Sequence, residues 1–204
     1  MQLKGRNARE KVLERIGAAY VWDIEQLDGE LFEELFRQAS ANDLEVLARV
    51  FWIIRGDQGL SAKQKDRILS FGIRSLEWAE REEPVPGQLL ARLASLAAYA
   101  TAMGPRERRF LEAVAPHVHV AHGSHEFVAE LKRLASQDPA SIMNILTSMV
   151  TAHAPEYDYQ GRLLSLVKLL VESGQKEGIV RISDRLAGIE GFGAYFKTLQ
   201  PHHS

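Results

Sequence analysis

The chain has 204 residues, enough for a real hydrophobic core, and its 46% hydrophobic and 25% charged residues are an ordinary globular balance. It lacks cysteine, which excludes a disulfide framework, a cysteine nucleophile and a thiolate metal site, and the formal charge of −2, spread evenly over both halves, gives no bulk argument for nucleic acid or an anionic membrane. No apolar run nears the roughly 20 residues of a membrane span, and MQLKGRNARE is charged where a secretion signal turns apolar, so a cytoplasmic location is expected.

Apolar spacing near 3.6 recurs along almost the whole chain and no alternating strand pattern appears, which predicts an all-α fold. The first helix is predicted over Asn7 to Tyr20, with Val12, Leu13, Ile16 and Tyr20 on one stripe. A second, over Gly29 to Ala39, sets Leu31 and Phe32 against Leu35 and Phe36 behind an Asp28 cap. Together these make an N-terminal cap over 1–40. Asn42 then caps a helix to Arg55 with two apolar faces, Leu44, Leu47, Phe51 and Ile54 on one and Val46, Val50 and Ile53 on the other, so both sides are expected to be buried. Gly56 and Gly59 break it. Ser61 opens a long helix to about Arg81, which EEPVPG stops, because proline removes a donor and clashes with the preceding turn.

Gln88 to Met103 is the next predicted helix, with Leu89, Leu93, Leu96, Ala100 and Met103 in line, and Gly104 ends it. Pro105 suits the first position of a short helix to Val114. HVHVAHGSH, 117–125, follows as a polar loop holding four of the seven histidines. Ser124 caps a helix to Ala135, Asp138-Pro139 starts one to Ala152, Asp158 one to Ser173, and Gln175 one to Ala187. In the helix from Asp158, Leu163, Leu164, Leu166, Val167, Leu169 and Leu170 run nearly all round the axis, which predicts a central helix. Phe192, Tyr195, Phe196 and Leu199 make a C-terminal cap over 188–200, and 201–204 are a polar tail.

The first helices of successive pairs are expected to begin near 42, 86, 124 and 158. Those intervals sit near the ~34 residues of tetratricopeptide units and the ~40–47 of HEAT and armadillo units. The tetratricopeptide consensus residues are absent. The expected architecture is therefore a single helical-repeat domain over 1–200, an irregular right-handed HEAT-like α-solenoid of antiparallel helix pairs over 42–187. An orthogonal multi-helix bundle is the alternative.

Few motifs carry chemistry. Zinc needs three or four converging ligands, and HEFVA (125–129) begins like a zinc helix but has Ala129 where the second histidine belongs. The histidine run reads as a solvated connection, with no metal expected. GPRERRF places Arg106, Arg108 and Arg109 at a helix N-terminus, where they either grip a phosphate or a partner's carboxylates, or form a solvated face with Glu107 and Glu112. EGFGAYF (190–196) has Phe196 where a dinucleotide loop needs glycine, and reads as a C-terminal turn with an aromatic plug. Glu30, Glu33 and Glu34 form an acidic turn, read as an exposed face. Trp22, Trp52 and Trp78 stand at helical positions and are expected in the core; an exposed one is a binding hot spot.

FWIIRG (51–56), RILSFGIRSLEW (67–78), DPASIMNIL (138–146) and LVKLLVESGQKEGIVRISDRLAGIEGFGAYF (166–196) together carry a resemblance. They resemble the C-terminal HEAT- or armadillo-like helical-repeat region of large bacterial proteins, in which an NTPase or NADase effector domain precedes a sensor solenoid, several of them serving antiviral defence. The likeness spans most of 42–198 and holds no catalytic motif. It implies a sensing or scaffold module of a larger bacterial assembly, with the effector and its activity outside this sequence.

The expected function is a non-catalytic protein- or peptide-interaction module with no catalytic residue, cofactor or membrane partner. The helices second in each pair carry a small excess of basic residues, placing Arg74, Arg109, Arg181 and Arg185 on one groove, and these together with Arg106 are the expected partner-binding residues. An acidic peptide or protein surface is the expected ligand. A nucleic-acid-binding helical repeat is the alternative, and a metal-dependent hydrolase built on the histidine run the weakest reading.

Overall fold

Helical periodicity decides most of the local structure. The computed structural model describes residues 2–22, 29–54, 59–120 and 124–199, with side chains for 8–22, 33–54, 59–118 and 125–199. Every regular element among the described residues is helical, eleven α-helices and two 3-10 segments, so the fold is all-α. Contacts divide the chain into two compact units, 1–100 and 101–204. The helices 87–94 and 105–114, expected as partners in one pair, fall into different units.

The first unit holds α1 (Gln2–Val21), α2 (Gly29–Gln38), α3 (Ala41–Ile54), α4 (Ala62–Ala79) and α5 (Gly87–Ala94), which continues as a 3-10 segment over Ser95–Tyr99. Arg9 of α1 reaches Asp43 at the start of α3, and Gly17, further along, lies so close to Leu47 and Val50 that a Cβ there would meet each at 3.2 Å. Hence α1 and α3 run in the same direction. Arg92 shares a cavity with Asn42 to Arg49, and the Tyr99 hydroxyl donates to the Phe51 carbonyl at 2.5 Å, so α5 and its extension follow α3 as well. On the other side α4 packs against α1, α3 and α5. Its Phe71 is fully buried, edge-on to Phe51 at 4.7 Å and 5.8 Å from Phe36 of α2. Burying each such ring contributes about 1.5–3 kcal/mol.

The second unit repeats the plan. It holds α6 (Pro105–Val114) with a 3-10 extension over Ala115–Val120, then α7 (Ser124–Leu134), α8 (Pro139–Ala152), α9 (Arg162–Glu172), α10 (Lys176–Leu186) and α11 (Phe192–Leu199). Arg108 near the start of α6 bonds Asp138 at the start of α8, and Gly178 near the start of α10 sits against Met143 of α8. Thus α6, α8 and α10 form one parallel row. Arg162 at the start of α9 donates to the His125 carbonyl at the start of α7, while Leu164 lies by Gly191 and Lys168 lies over the Tyr195 ring of α11. So α7, α9 and α11 form a second row. Equivalent contacts within a row are 34 residues apart for Arg9–Asp43, 30 for Arg108–Asp138 and 37 for Arg162–His125. That spacing is shorter than most of the intervals predicted from helix starts.

Several expectations need correction. α1 begins at Gln2 rather than Asn7. The cap of α3 is Ser40, not Asn42: its hydroxyl accepts the Asp43 N–H at 3.3 Å, its own N–H donates to Asp43 at 2.9 Å, and its carbonyl takes the first helical bond from Leu44. The helix predicted to Met103 stops being α-helical at Ala94, because the Ser95 hydroxyl donates to the Arg92 carbonyl at 2.7 Å and the backbone tightens into 3-10 turns. The histidine run is no plain loop either, since Ala115–Val120 is a 3-10 helix with Ala115 and Val118 buried. The helix expected from Asp158 starts at Arg162, behind three successive left-handed residues, Tyr159, Gln160 and Gly161. By contrast Ser61 caps α4 as expected, in a reciprocal pair of bonds with Gln64, and Asp138 caps α8. Asp28 and Gly56 lie outside the described residues.

Burial departs from the pattern too. α9 buries Leu163, Leu166, Val167 and Leu170 but leaves Leu164 and Leu169 half-buried, so it is amphipathic. The hub of this unit is α8, which packs against α6, the 3-10 extension, α7 and α10. Trp22 is 50% exposed and Trp52 36%, and only Trp78 is half-buried. α3 meets its neighbours through Leu44, Leu47, Ala48 and Phe51; Trp52 and Ile53 (61% exposed) fall outside that arc, so its second apolar face is only partly buried.

Candidate interaction surface

Four of the five arginines singled out in the sequence lie on one row of helices. Arg106 and Arg109 are exposed on α6, Arg181 and Arg185 on α10, and α8 packs between these helices. The placement follows from local chemistry. Pro105 opens α6 after Gly104, and Phe110, Leu111 and Val114 turn inward, which leaves Arg106 and Arg109 outward. α10 buries Gly178, Ile179, Ile182 and Leu186, so Arg181 and Arg185 fall on its open side. Between them α8 presents an uncharged strip: Asn144 and Thr151 are exposed, Thr147 and Ser148 half-exposed, and the Thr147 hydroxyl donates to the Met143 carbonyl at 2.8 Å.

Asp138 anchors this row. It accepts the Ser141 N–H at 3.0 Å and the Ser141 hydroxyl at 2.7 Å, and Arg108 donates to it at 2.7 Å. The Ser141 hydroxyl, then the Ser141 N–H, hold its carboxyl below the usual carboxylate range; burial works the other way, and the Arg108 charge adds to the lowering. Arg108 therefore serves the join between α6 and α8 and not the open face.

Arg74 belongs to the other unit. It donates to Glu33 at 2.6 Å and its guanidinium stands 4.5 Å over the Phe36 ring. That hydrogen bond is the main reason the Glu33 carboxyl is lowered. The pair sits in a cleft of about 390 Å³ between α2 and α4, lined also by Arg37, Trp78 and Arg81. The acidic turn of the sequence is thus partly committed to arginines, Glu33 to Arg74 and Glu34 to Arg37 at 2.8 Å.

The sequence reading missed a second cluster in the first unit. Arg9, Glu10, Leu13, Asn42, Asp43, Glu45, Val46, Arg49 and Arg92 line a cavity of about 350 Å³ bounded by α1, α3 and α5. Asp43, 2% exposed, accepts Arg9 Nε at 2.8 Å and Nη2 at 2.7 Å, together with the Ser40 hydroxyl at 2.8 Å. Arg49 pairs with Glu10 and lies 3.6 Å from Glu14. Burial pushes the Asp43 carboxyl up, but the Arg9 hydrogen bond, the two Ser40 bonds and the Arg9 charge outweigh it and leave the group lowered. The signal was present as Ser40-x-x-Asp43 ahead of an apolar run, a capping-box pattern.

The histidines divide. His117 is half-buried in the 3-10 helix, His125 Nε2 lies 2.8 Å from Glu126 Oε1, and His122 and the His119 side chain fall outside the described residues. Among the described residues no group of three or more histidine or carboxylate side chains is placed to hold a metal ion. No described helix is long and apolar enough to cross a membrane. No protein-family model, curated protein or solved structure matches the chain.

Proposed function

We propose that the protein is a non-catalytic interaction module whose α6–α8–α10 row binds a carboxylate-bearing segment of a partner protein. The observation that supports it is the exposure of Arg106 and Arg109 on α6 and of Arg181 and Arg185 on α10, the two helices that flank the uncharged α8. Guanidinium groups present planar donor pairs that match carboxylates, and the Asn144–Thr151 strip offers hydrogen bonds to a peptide backbone without repelling it. The two rows of the second unit, with successive helices alternating between them, and the parallel row of α1, α3 and α5 in the first support reading the chain as an irregular HEAT-like solenoid, a fold whose extended surfaces take up partners. On that reading it acts as the sensing or scaffold end of a larger bacterial assembly.

Fluorescence anisotropy with labelled glutamate-rich peptides tests the surface. Binding is expected to weaken from low to physiological salt. Replacing Arg109 and Arg181 by glutamate together is expected to abolish it at an unchanged melting temperature. Affinity indifferent to salt and to both reversals would remove the surface from consideration, and preference for single-stranded oligonucleotides over peptides would replace the proposal with a nucleic-acid-binding one.

A further inference from the structure

The cavity bounded by α1, α3 and α5 is built differently from an ordinary surface ion-pair network. Its floor is apolar, formed by Leu13 and Val46, both buried in the core. Its lining carries three cations, Arg9, Arg49 and Arg92, and three carboxylates, Glu10, Asp43 and Glu45. Four of these six are committed to one another: Arg9 to Asp43, and Arg49 to Glu10. Asp43 is further fixed by the Ser40 N–H and hydroxyl, so this part of the wall is preorganised.

Two lining groups of opposite sign are left over. Among the described residues no ion pair engages the Arg92 guanidinium or the Glu45 carboxylate, although each is half-buried at the cavity wall. Arg9 bonds Asp43 through Nε and Nη2, which leaves its Nη1 donors toward any further acceptor. A lining that sums to zero charge gives a simple anion no net attraction. It suits instead a small molecule bearing both signs, one end for a guanidinium and the other for a carboxylate.

We propose that this cavity is a binding site for a small zwitterion of the α-amino-acid class. Arg92 takes the ligand's carboxylate in a two-pronged hydrogen-bonded pair, Glu45 takes its ammonium group, and its side chain lies on Leu13 and Val46. The geometry of guanidinium and carboxylate favours that pairing. A volume of about 350 Å³ admits an apolar amino acid. The site lies in the first unit and is independent of the peptide surface proposed above, so failure of either leaves the other standing.

Isothermal titration of the full chain with leucine, N-acetyl-leucine and leucinamide tests it. Saturable binding of leucine is expected, weakened about ten- to a hundred-fold both by N-acetylation, which removes the ammonium, and by amidation, which removes the carboxylate. Arg92→Ala is expected to weaken leucine binding by a similar factor. Glu45→Gln is expected to weaken leucine while leaving N-acetyl-leucine unchanged, a pattern a misfolded variant cannot produce. Absence of saturable binding for all of the twenty common amino acids would overturn the proposal. So would displacement by inorganic phosphate with no dependence on the ligand's ammonium group, which would mark an anion site only.

Discussion

Asp43 carries two structural duties at once. Its carboxylate caps α3 through Ser40 and ties α1 to α3 through Arg9, all from a position with almost no contact with water. A buried charge is tolerated only when paired and hydrogen-bonded, and here both conditions are met. Its carboxyl is lowered in the folded chain, so over the interval below the ordinary aspartate value of about 3.9 the unfolded chain binds more protons than the folded one. The stability Asp43 confers is therefore complete above that value and is lost as pH falls through the lower, folded one. Urea unfolding at a series of pH values checks this. Asp43→Asn is expected to be less stable than the natural chain near neutrality and to converge on it in acid, where both carry an uncharged group. Equal separation of the two proteins at every pH would show that the charge at this position contributes nothing.

At the scale of elements, the turn before α9 is where local chemistry overrides periodicity. Tyr159, Gln160 and Gly161 take φ values of +45°, +61° and +79°, and only glycine reaches that region without a steric cost. Asp158 does not cap a helix beginning beside it; its Oδ1 accepts the N–H of Leu164, six residues on, across this left-handed run. Gln160 is exposed, so replacing it by glycine removes strain and no packing. Gln160→Gly is expected to be neutral or stabilising by about 1 kcal/mol, the reverse of the usual glycine penalty, and a thermal melt decides the sign. A loss of stability would mean that the Gln160 side chain holds the turn. The same contrast explains what was readable beforehand. Ser61 and Asp138 combine a capping side chain with a clean apolar stripe, so those starts could be read directly, as could the all-helical class. The switch to 3-10 at Ser95 rests on one side-chain bond to Arg92, which no periodicity carries. The exposure of Trp52 and Ile53 depends on which arc of α3 its neighbours cover, a tertiary fact. Of the five arginines singled out in the sequence, four lie on α6 and α10 of one row, and the commitment of the fifth, Arg74, to Glu33 needed the fold, because the partners are 41 residues apart.

For the whole molecule, the division into units 1–100 and 101–204 makes a claim about cooperativity that can be measured. Each unit has its own buried cluster, Phe51 and Phe71 with their neighbours in the first, Phe110, Phe127 and Phe192 with theirs in the second. Stability is not uniform where a chain divides into units with separate buried cores, so a defect in one need not spread to the other. All three tryptophans, Trp22, Trp52 and Trp78, fall in the first unit, whereas the helical circular dichroism signal comes from both. Leu166 is fully buried in α9 of the second unit, and Leu166→Ala removes apolar volume where α9 meets its neighbours, at a cost of about 2–5 kcal/mol. The expected outcome is a circular dichroism melt that separates into two steps, the lower one shifted down by roughly 10 °C or more, while the tryptophan emission midpoint stays where it is in the natural chain. Tryptophan emission that falls in step with the helical signal would mean that the two units do not unfold independently.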